Sequence, residues 1–154
     1  MLMPEPYLEN IVAQLPYAPP FLFVDGLTHL DAERVEGYYT FRPESAFYRG
    51  HFKGNPVTPG VLLTECCAQI GLACLGLHLL REASDSGPGP GGIALGSAEM
   101  EFLLPVLPGE RVRVVGEQVY FRFGKLKSRV QLYNESGHLA CRGILSGMIK
   151  REKV

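Results

Sequence analysis

The chain reads as an α+β protein in which one antiparallel sheet wraps around a single long central helix. Three observations carry that expectation. Val61 to Leu80 is one long, mostly apolar run. After a break at Ser84–Gly92 the chain changes character and reads as four consecutive strands, starting at Ile93, Arg111, Lys125 and His138. Two shorter strand-like segments precede the helix.

Glu5 to Gln14 can form a short helix that stops before Pro16. Phe21-Leu22-Phe23-Val24-Asp25 reads as a short buried strand, and Arg34 to Phe41, rich in β-branched and aromatic residues, as a second. Arg42 to Asn55 is irregular. Pro59-Gly60 then opens the long helix, which runs to about Glu82. At about 20 residues, Val61–Leu80 has the length of a bilayer span. Glu65 and Gln69 lie inside it, however, and both are costly in hydrocarbon. A helix apolar almost all round is expected at the centre of its own protein, with no membrane span.

SDSGPGPGG at Ser84–Gly92 reads as a disordered loop, and no Lys-Ser/Thr follows to make it a phosphate loop. Ile93–Leu103, Arg111–Phe123, Lys125–Asn134 and His138–Ile149 follow as strands. In the third, Leu126, Ser128, Val130 and Leu132 alternate with Lys127, Arg129, Gln131 and Tyr133, which makes a strand with one wet face. A sheet covers most of one helix, and the face left over calls for a second subunit, so a dimer is expected.

Composition narrows the function. At 154 residues the chain has the size of one ordinary domain, and a net charge of −1 gives no reason to propose nucleic acid as a partner. Basic residues cluster at Arg122-Lys125-Lys127-Arg129 and at Lys150-Arg151-Lys153, as a solvated strand face and a tail would. The four cysteines, Cys66, Cys67, Cys74 and Cys141, have neither zinc nor disulfide spacing and read as buried free thiols. Met1-Leu2-Met3-Pro4-Glu5 is not the start of a signal peptide, and a reducing cytoplasm is the expected compartment. His29 and His138 lie near turns. His78 lies near the end of the apolar helix, where a cation suits the dipole. No metal-ligand spacing joins them, no G-x-S-x-G is present, and no cofactor is expected.

The chemistry concentrates between Gly50 and Glu65, in GHFKGNPVTPGVLLTE. His51 sits in a glycine-rich loop before a helix N-terminus. Glu65 sits inside the helix among Val61, Leu62, Leu63, Cys66 and Cys67. A carboxyl in such company has a raised pKa and keeps its proton, as a general acid should. An imidazole suits a general base at neutral pH.

This stretch, G-H-F-x-G-x-P-x-x-P-G-V-L-x-x-E-x-x-A-Q, resembles the signature of the 3-hydroxyacyl-acyl-carrier-protein dehydratases of fatty acid synthesis, which have the hot-dog fold. Leu15–Asp25, LPYAPPFLFVD, is similar to that family's L-P-H-R-x-P-F-L-x-V-D. Phe102–Glu110, FLLPVLPGE, is similar to its F-x-x-P-V-x-P-G-D/E. The resemblance runs from Leu15 to Ile149 and implies one hot-dog domain over residues 1–154. It implies His51 as the base that takes the α-proton and Glu65 as the acid that protonates the leaving 3-hydroxyl. Gly60, with Val61 beside it, would bind the thioester oxygen through backbone N–H groups, and Gln69 would either orient the carboxylate or stand as a capped polar group at the dimer seam. A branch of the family that also isomerises the double bond has aspartate where this chain has Glu65, so dehydration alone is implied.

The implied partner is an acidic acyl carrier protein, docking on Arg49 and Lys53 or on Arg122 and Lys125. The implied assembly is a homodimer and, as the family often adds, a trimer of dimers. Tyr17-Ala18 replaces the usual His-Arg, Lys53 and Asn55 replace Pro and His, and Ala94-Leu95 stands where an aromatic pair often gates the acyl tunnel. These departures bear on chain length and leave lipid, polyene and polyketide substrates open. A hot-dog thioesterase and a non-catalytic acyl-thioester binder are the rival readings. The first does not need the histidine of G-H-F, and the second needs neither His51 nor Glu65.

Overall fold

The computed structural model describes residues 3–83 and 90–151. Helix α1 (Glu5–Ala13) leads to β1 (Gly26–Leu30) and β2 (Arg34–Thr40). A single 3-10 turn, Ala46–Arg49, precedes the long helix α2 (Gly60–Ala83). Then come β3 (Pro90–Phe102), β4 (Arg111–Arg122), β5 (Lys125–Tyr133) and β6 (Leu139–Arg151). The six strands form one sheet in the order β1-β2-β4-β5-β6-β3, every pair antiparallel. Short hairpins explain the neighbours β1-β2, β4-β5 and β5-β6, because connections of two to five residues join only antiparallel strands. Residues 84–89 of the expected loop lie outside the described residues, and β3 begins within the remainder of that loop, at Pro90.

The middle of α2 packs against β2, β4, β5 and β6. Gly71 to Leu79 is continuously buried, which accounts for the apolar run in the sequence. Length and composition would let this helix cross a bilayer, but 72% of the relevant window is buried inside its own protein. Its centre, Gln69–Cys74, is wound as a π-helix. There the carbonyl of Gly71 accepts a hydrogen bond from the Ser128 hydroxyl of β5 at 2.8 Å, so the sheet satisfies the helix where its internal ladder changes spacing.

Two glycines set how closely helix and sheet approach. A Cβ on Gly116 of β4 would lie 2.8 Å from the Gly71 Cα, and one on Gly71 would lie 2.5 Å from a Val130 methyl. Real Cβ atoms do not approach a backbone so closely, and a backbone cannot rotate away as a side chain can.

Two sequence expectations are corrected here. Phe21–Asp25 is not a strand, although Phe23 and Val24 are buried as expected. The Phe21 carbonyl and both backbone groups of Phe23 bond to side chains of α2 instead of to a neighbouring strand. The first strand is Gly26–Leu30, entered through the bond from Asp25 N–H to the Tyr38 carbonyl at 2.9 Å. His78 does not stand at the surface near the helix end. It is 1% exposed, its Nδ1 is 2.7 Å from the Tyr7 hydroxyl of α1, and its Nε2 lies 3.1 Å from a Glu82 oxygen, off the direction of a hydrogen bond. It fastens α1 to α2.

Gly116→Ala should destabilise the fold by about 2–3 kcal/mol, the usual cost of overpacking. Gly92→Ala, where a Cβ meets nothing within 4 Å, should be close to neutral. Equal urea midpoints for the two variants would contradict the close approach.

Candidate active site

The loop that carries His51 is held at both ends. Tyr48 and Thr58 share a buried hydrogen bond of 2.6 Å between their hydroxyls, and Thr58 N–H donates to the Val106 carbonyl at 2.9 Å. Between these anchors, Phe52 and Asn55 exchange two backbone bonds of 3.0 Å around Gly54, whose φ of 69° is left-handed. The His51–Phe52 peptide is cis, and the two rings stack with centroids 3.9 Å apart.

His51 Nδ1 lies 2.8 Å from the Val57 carbonyl oxygen. A carbonyl only accepts, so Nδ1 carries the ring proton and Nε2 keeps the lone pair. The local fold therefore selects the tautomer in which Nε2 can act as a base.

Helix α2 begins at Gly60, after Pro59 in extended conformation. Its first N–H groups, those of Gly60 and Val61, have no intrahelical acceptor and sit at the positive end of the helix dipole. A Cβ on Gly60 would lie 3.1 Å from the Phe102 ring of β3, so the ring closes over the helix start. Val61 was expected among the neighbours that bury Glu65, but it is 76% exposed. It points away from the core, whereas Leu63, Cys66 and Cys67 of the same turns are buried.

Glu65 is half-buried one turn into α2. Burial pushes its carboxyl pKa up, and a hydrogen bond from Gln69 pulls it part of the way back. That bond, from Gln69 Nε2 to Glu65 Oε2, is 2.9 Å. Gln69 itself is fully buried and makes three contacts. The same Nε2 donates to the Phe21 carbonyl at 2.9 Å, and its Oε1 accepts from Phe23 N–H at 2.7 Å. The Cys66 thiol donates to the Phe23 carbonyl at 3.3 Å. One amide thus holds the 21–23 segment on the helix and points a donor at Glu65.

Glu65, Gln69 and the helix start are therefore together within one chain. Among the described residues, no hydrogen bond or ion pair joins His51 to Glu65. Sequence reasoning missed the Tyr48–Thr58 clamp and the ring of Phe102 over Gly60. Three aromatics in the irregular stretch before Asn55 were the available signal for the first. All four cysteines are buried free thiols, and among the described residues no group of three His, Cys, Asp or Glu is placed to hold a metal.

Residues 15–140 match the model of the FabA-like domain. A curated relative from Alkaliphilus metalliredigens, named 3-hydroxyacyl-[acyl-carrier-protein] dehydratase FabZ, is 34% identical over 143 residues, covering 90% of this chain and 92% of that protein. One of the same name from Acetivibrio thermocellus is 32% identical over 137 residues, covering 88% and 87%. Among solved structures, the dehydratase heterocomplex ApeI:P from Xenorhabdus doucetiae superposes with a TM-score of 0.72 at 12% identity, covering 90% of this chain and 89% of that one. A hypothetical thioesterase with coenzyme A from Streptococcus pneumoniae superposes at 0.60 and 14% identity, covering 83% and 87%. Both share the hot-dog fold expected from the motifs.

Gln69→Leu should cost about 2–4 kcal/mol, because it strips partners from one buried N–H and one carbonyl. It should also move the Glu65 carboxyl further up, read by its NMR titration. Glu65→Gln should act oppositely on stability. The folded state holds the Glu65 proton more tightly than the unfolded chain. Its contribution is therefore full below the ordinary carboxyl value of 4.5 and is lost as pH rises through the raised folded value. The glutamine variant should be the more stable protein at neutral pH, with an advantage that shrinks in acid. An advantage that grows in acid would contradict the raised value.

Proposed function

The chain belongs to the FabA-like family, and from that premise we propose that it removes water from 3-hydroxyacyl-acyl-carrier-protein to give the trans-2-enoyl thioester. The observation that carries this reading is the state of the two ionisable groups. His51 has its ring proton pinned on Nδ1, and Glu65 is a half-buried carboxyl pushed towards its protonated form. An elimination needs this opposition of a free base and a held acid.

In the proposed reaction His51 Nε2 takes the proton from the carbon α to the thioester. Charge that develops on the thioester oxygen is met by the N–H groups of Gly60 and Val61 and by the helix dipole. The C3–O bond breaks as Glu65 delivers its proton to the leaving hydroxyl, which departs as water. Gln69 stabilises the carboxylate that remains. Transfer of one proton from the imidazolium to the carboxylate, through solvent, resets both groups. No cofactor enters this balance.

The assembly we propose is a homodimer formed along β3, with a trimer of such dimers as the larger form. β3 is the longer of the sheet's two edge strands, at 13 residues against five for β1, and Leu95, Phe102 and Leu103 on it and beyond it are 43–50% exposed. A long, apolar, unpaired edge is a template for another strand. Exposed Val61 at the start of α2 supports a partner over the same face. In this arrangement each site draws His51 from one chain and Glu65 from the other. The chain acts as one hot-dog domain in the cytoplasm, and its acidic carrier approaches through Arg49 and Lys53 or Arg122 and Lys125.

Incubation with a 3-hydroxyacyl carrier protein should give a product lighter by one water, still attached to the carrier. Release of free acid would favour a thioesterase instead. His51→Ala and Glu65→Gln should each lower turnover by about 10²–10⁴, the usual worth of one acid–base group. Near-full dehydration by either folded variant would refute its role.

A further inference from the structure

Val57 meets His51 twice. Its carbonyl oxygen lies 2.8 Å from His51 Nδ1, and its N–H donates to the His51 carbonyl at 2.9 Å. The peptide group between Val57 and Thr58 is bonded at both ends. Its oxygen accepts the imidazole proton, and its N–H, that of Thr58, donates to the Val106 carbonyl at 2.9 Å. One amide therefore links the imidazole to a fully buried residue of the Phe102–Glu110 segment. Hydrogen bonds in such a chain polarise one another, so donation at the nitrogen strengthens the oxygen as an acceptor.

The His51 proton depends on where that oxygen points. A carbonyl turned aside would let the proton settle on Nε2, and an Nε2 that carries a proton has no lone pair to take another. Pro59 keeps Thr58 out of helical backbone but leaves its peptide room to rock within the extended range. The Thr58 side chain supplies the remaining restraint. Its hydroxyl is 2.6 Å from that of Tyr48, and both residues are 5% exposed. Tyr48 lies in the turn Ala46–Arg49, where the Phe47 carbonyl accepts from His51 N–H at 3.1 Å. The hydroxyl pair thus ties the residue after Val57 to the turn that leads into His51.

Stability alone does not call for two hydroxyls here, because two apolar groups of the same shape would serve it about equally well. A hydrogen bond adds a preferred direction, which an apolar contact lacks. We infer that Tyr48 and Thr58 are positioning residues for the base, holding the Val57–Thr58 peptide in the plane from which its carbonyl keeps the imidazole proton on Nδ1. The inference rests on the reading that His51 Nε2 takes the α-proton. Neither hydroxyl enters the reaction, and each acts through the peptide.

The deciding protein is the double variant Tyr48→Phe with Thr58→Val, which removes both hydroxyls and orphans neither. Its urea midpoint should stay close to the parent's, whereas each single variant, with one buried hydroxyl left unpaired, should be less stable. Imidazole nitrogen NMR should find the proton on Nδ1 in the parent and a mixture of tautomers in the double variant. The double variant's kcat for a carrier-bound 3-hydroxyacyl chain should fall about 10–100-fold, the usual cost of a misplaced catalytic group, with KM little changed. Thr58→Ser, which keeps the hydroxyl, should keep the parent's tautomer and kcat. A clamp that serves only the fold would instead leave the double variant as active as it is stable. Parent-like tautomer and kcat in the double variant therefore overturn the inference, and so does a Thr58→Ser variant as impaired as Thr58→Val. Should the double variant not fold, Tyr48→Phe is read in its place, and a single tautomer with the parent's kcat there overturns it equally. The two readings separate. A tautomer that follows the hydroxyls in a protein without dehydration sinks the dehydratase assignment alone, and dehydration indifferent to them sinks the positioning role alone.

Discussion

The buried amide of Gln69 is the contact on which the site depends. A side-chain amide offers an acceptor and two donor hydrogens, and here they are spent on the Phe23 N–H, the Phe21 carbonyl and the Glu65 carboxyl. An entry segment that could have joined the sheet is thereby held on the helix, and the carboxyl is held in one orientation. Burial works against ionisation of Glu65 while the amide works for it. The balance leaves a carboxyl that holds its proton more tightly than a free glutamate does, with a donor in place for the carboxylate left after the proton is released. A stronger donor set would leave it ionised too early, and none at all would leave a buried anion unsupported after proton transfer.

The placement of that amide depends in turn on how tightly the helix lies in the sheet. Gly71 and Gly116 let two backbones approach to within one Cβ of each other, and Ser128 supplies the hydrogen bond that the π-turn requires. Gln69 opens that same π segment. The departure from α geometry, the close approach and the polar bridge to residues 21–23 thus occupy one stretch of helix. On the other side of the site, the Val57 carbonyl fixes the imidazole proton, and the Tyr48–Thr58 hydroxyl pair fixes the loop that carries the imidazole.

Much of this was legible in the sequence, for identifiable reasons. Alternation in Lys125–Asn134 marked β5 because one face of that strand is wet, and the unbroken apolar run marked α2 because the sheet surrounds it. Glu65 among apolar neighbours pointed to a raised carboxyl, and the raised value follows from burial as reasoned. Phe21–Asp25 read as a strand because burial gives strand and non-strand segments the same apolar composition. What distinguishes them is the partner of the backbone, a side chain 46 residues away. Val61 looked buried because it opens an apolar run, but one helix position can turn outward without changing the pattern around it. His78 looked like a terminal cation because nothing local reveals Tyr7, 71 residues earlier. The tautomer of His51 was equally invisible, since it is set by a backbone carbonyl and by no side chain.

The central claim is that His51 and Glu65 act as one acid–base pair supplied by two chains. Mixing His51→Ala with Glu65→Ala under conditions that exchange subunits tests it most directly. In a mixed dimer one site receives both lesions and the other receives neither. Random exchange makes half the dimers mixed, so about a quarter of all sites should be intact. Dehydration of a carrier-bound 3-hydroxyacyl chain should then climb from near zero towards that fraction of the parent rate. No recovery, with exchange confirmed by mass spectrometry, would contradict the shared site, because a pair drawn from one chain leaves a lesion in every site.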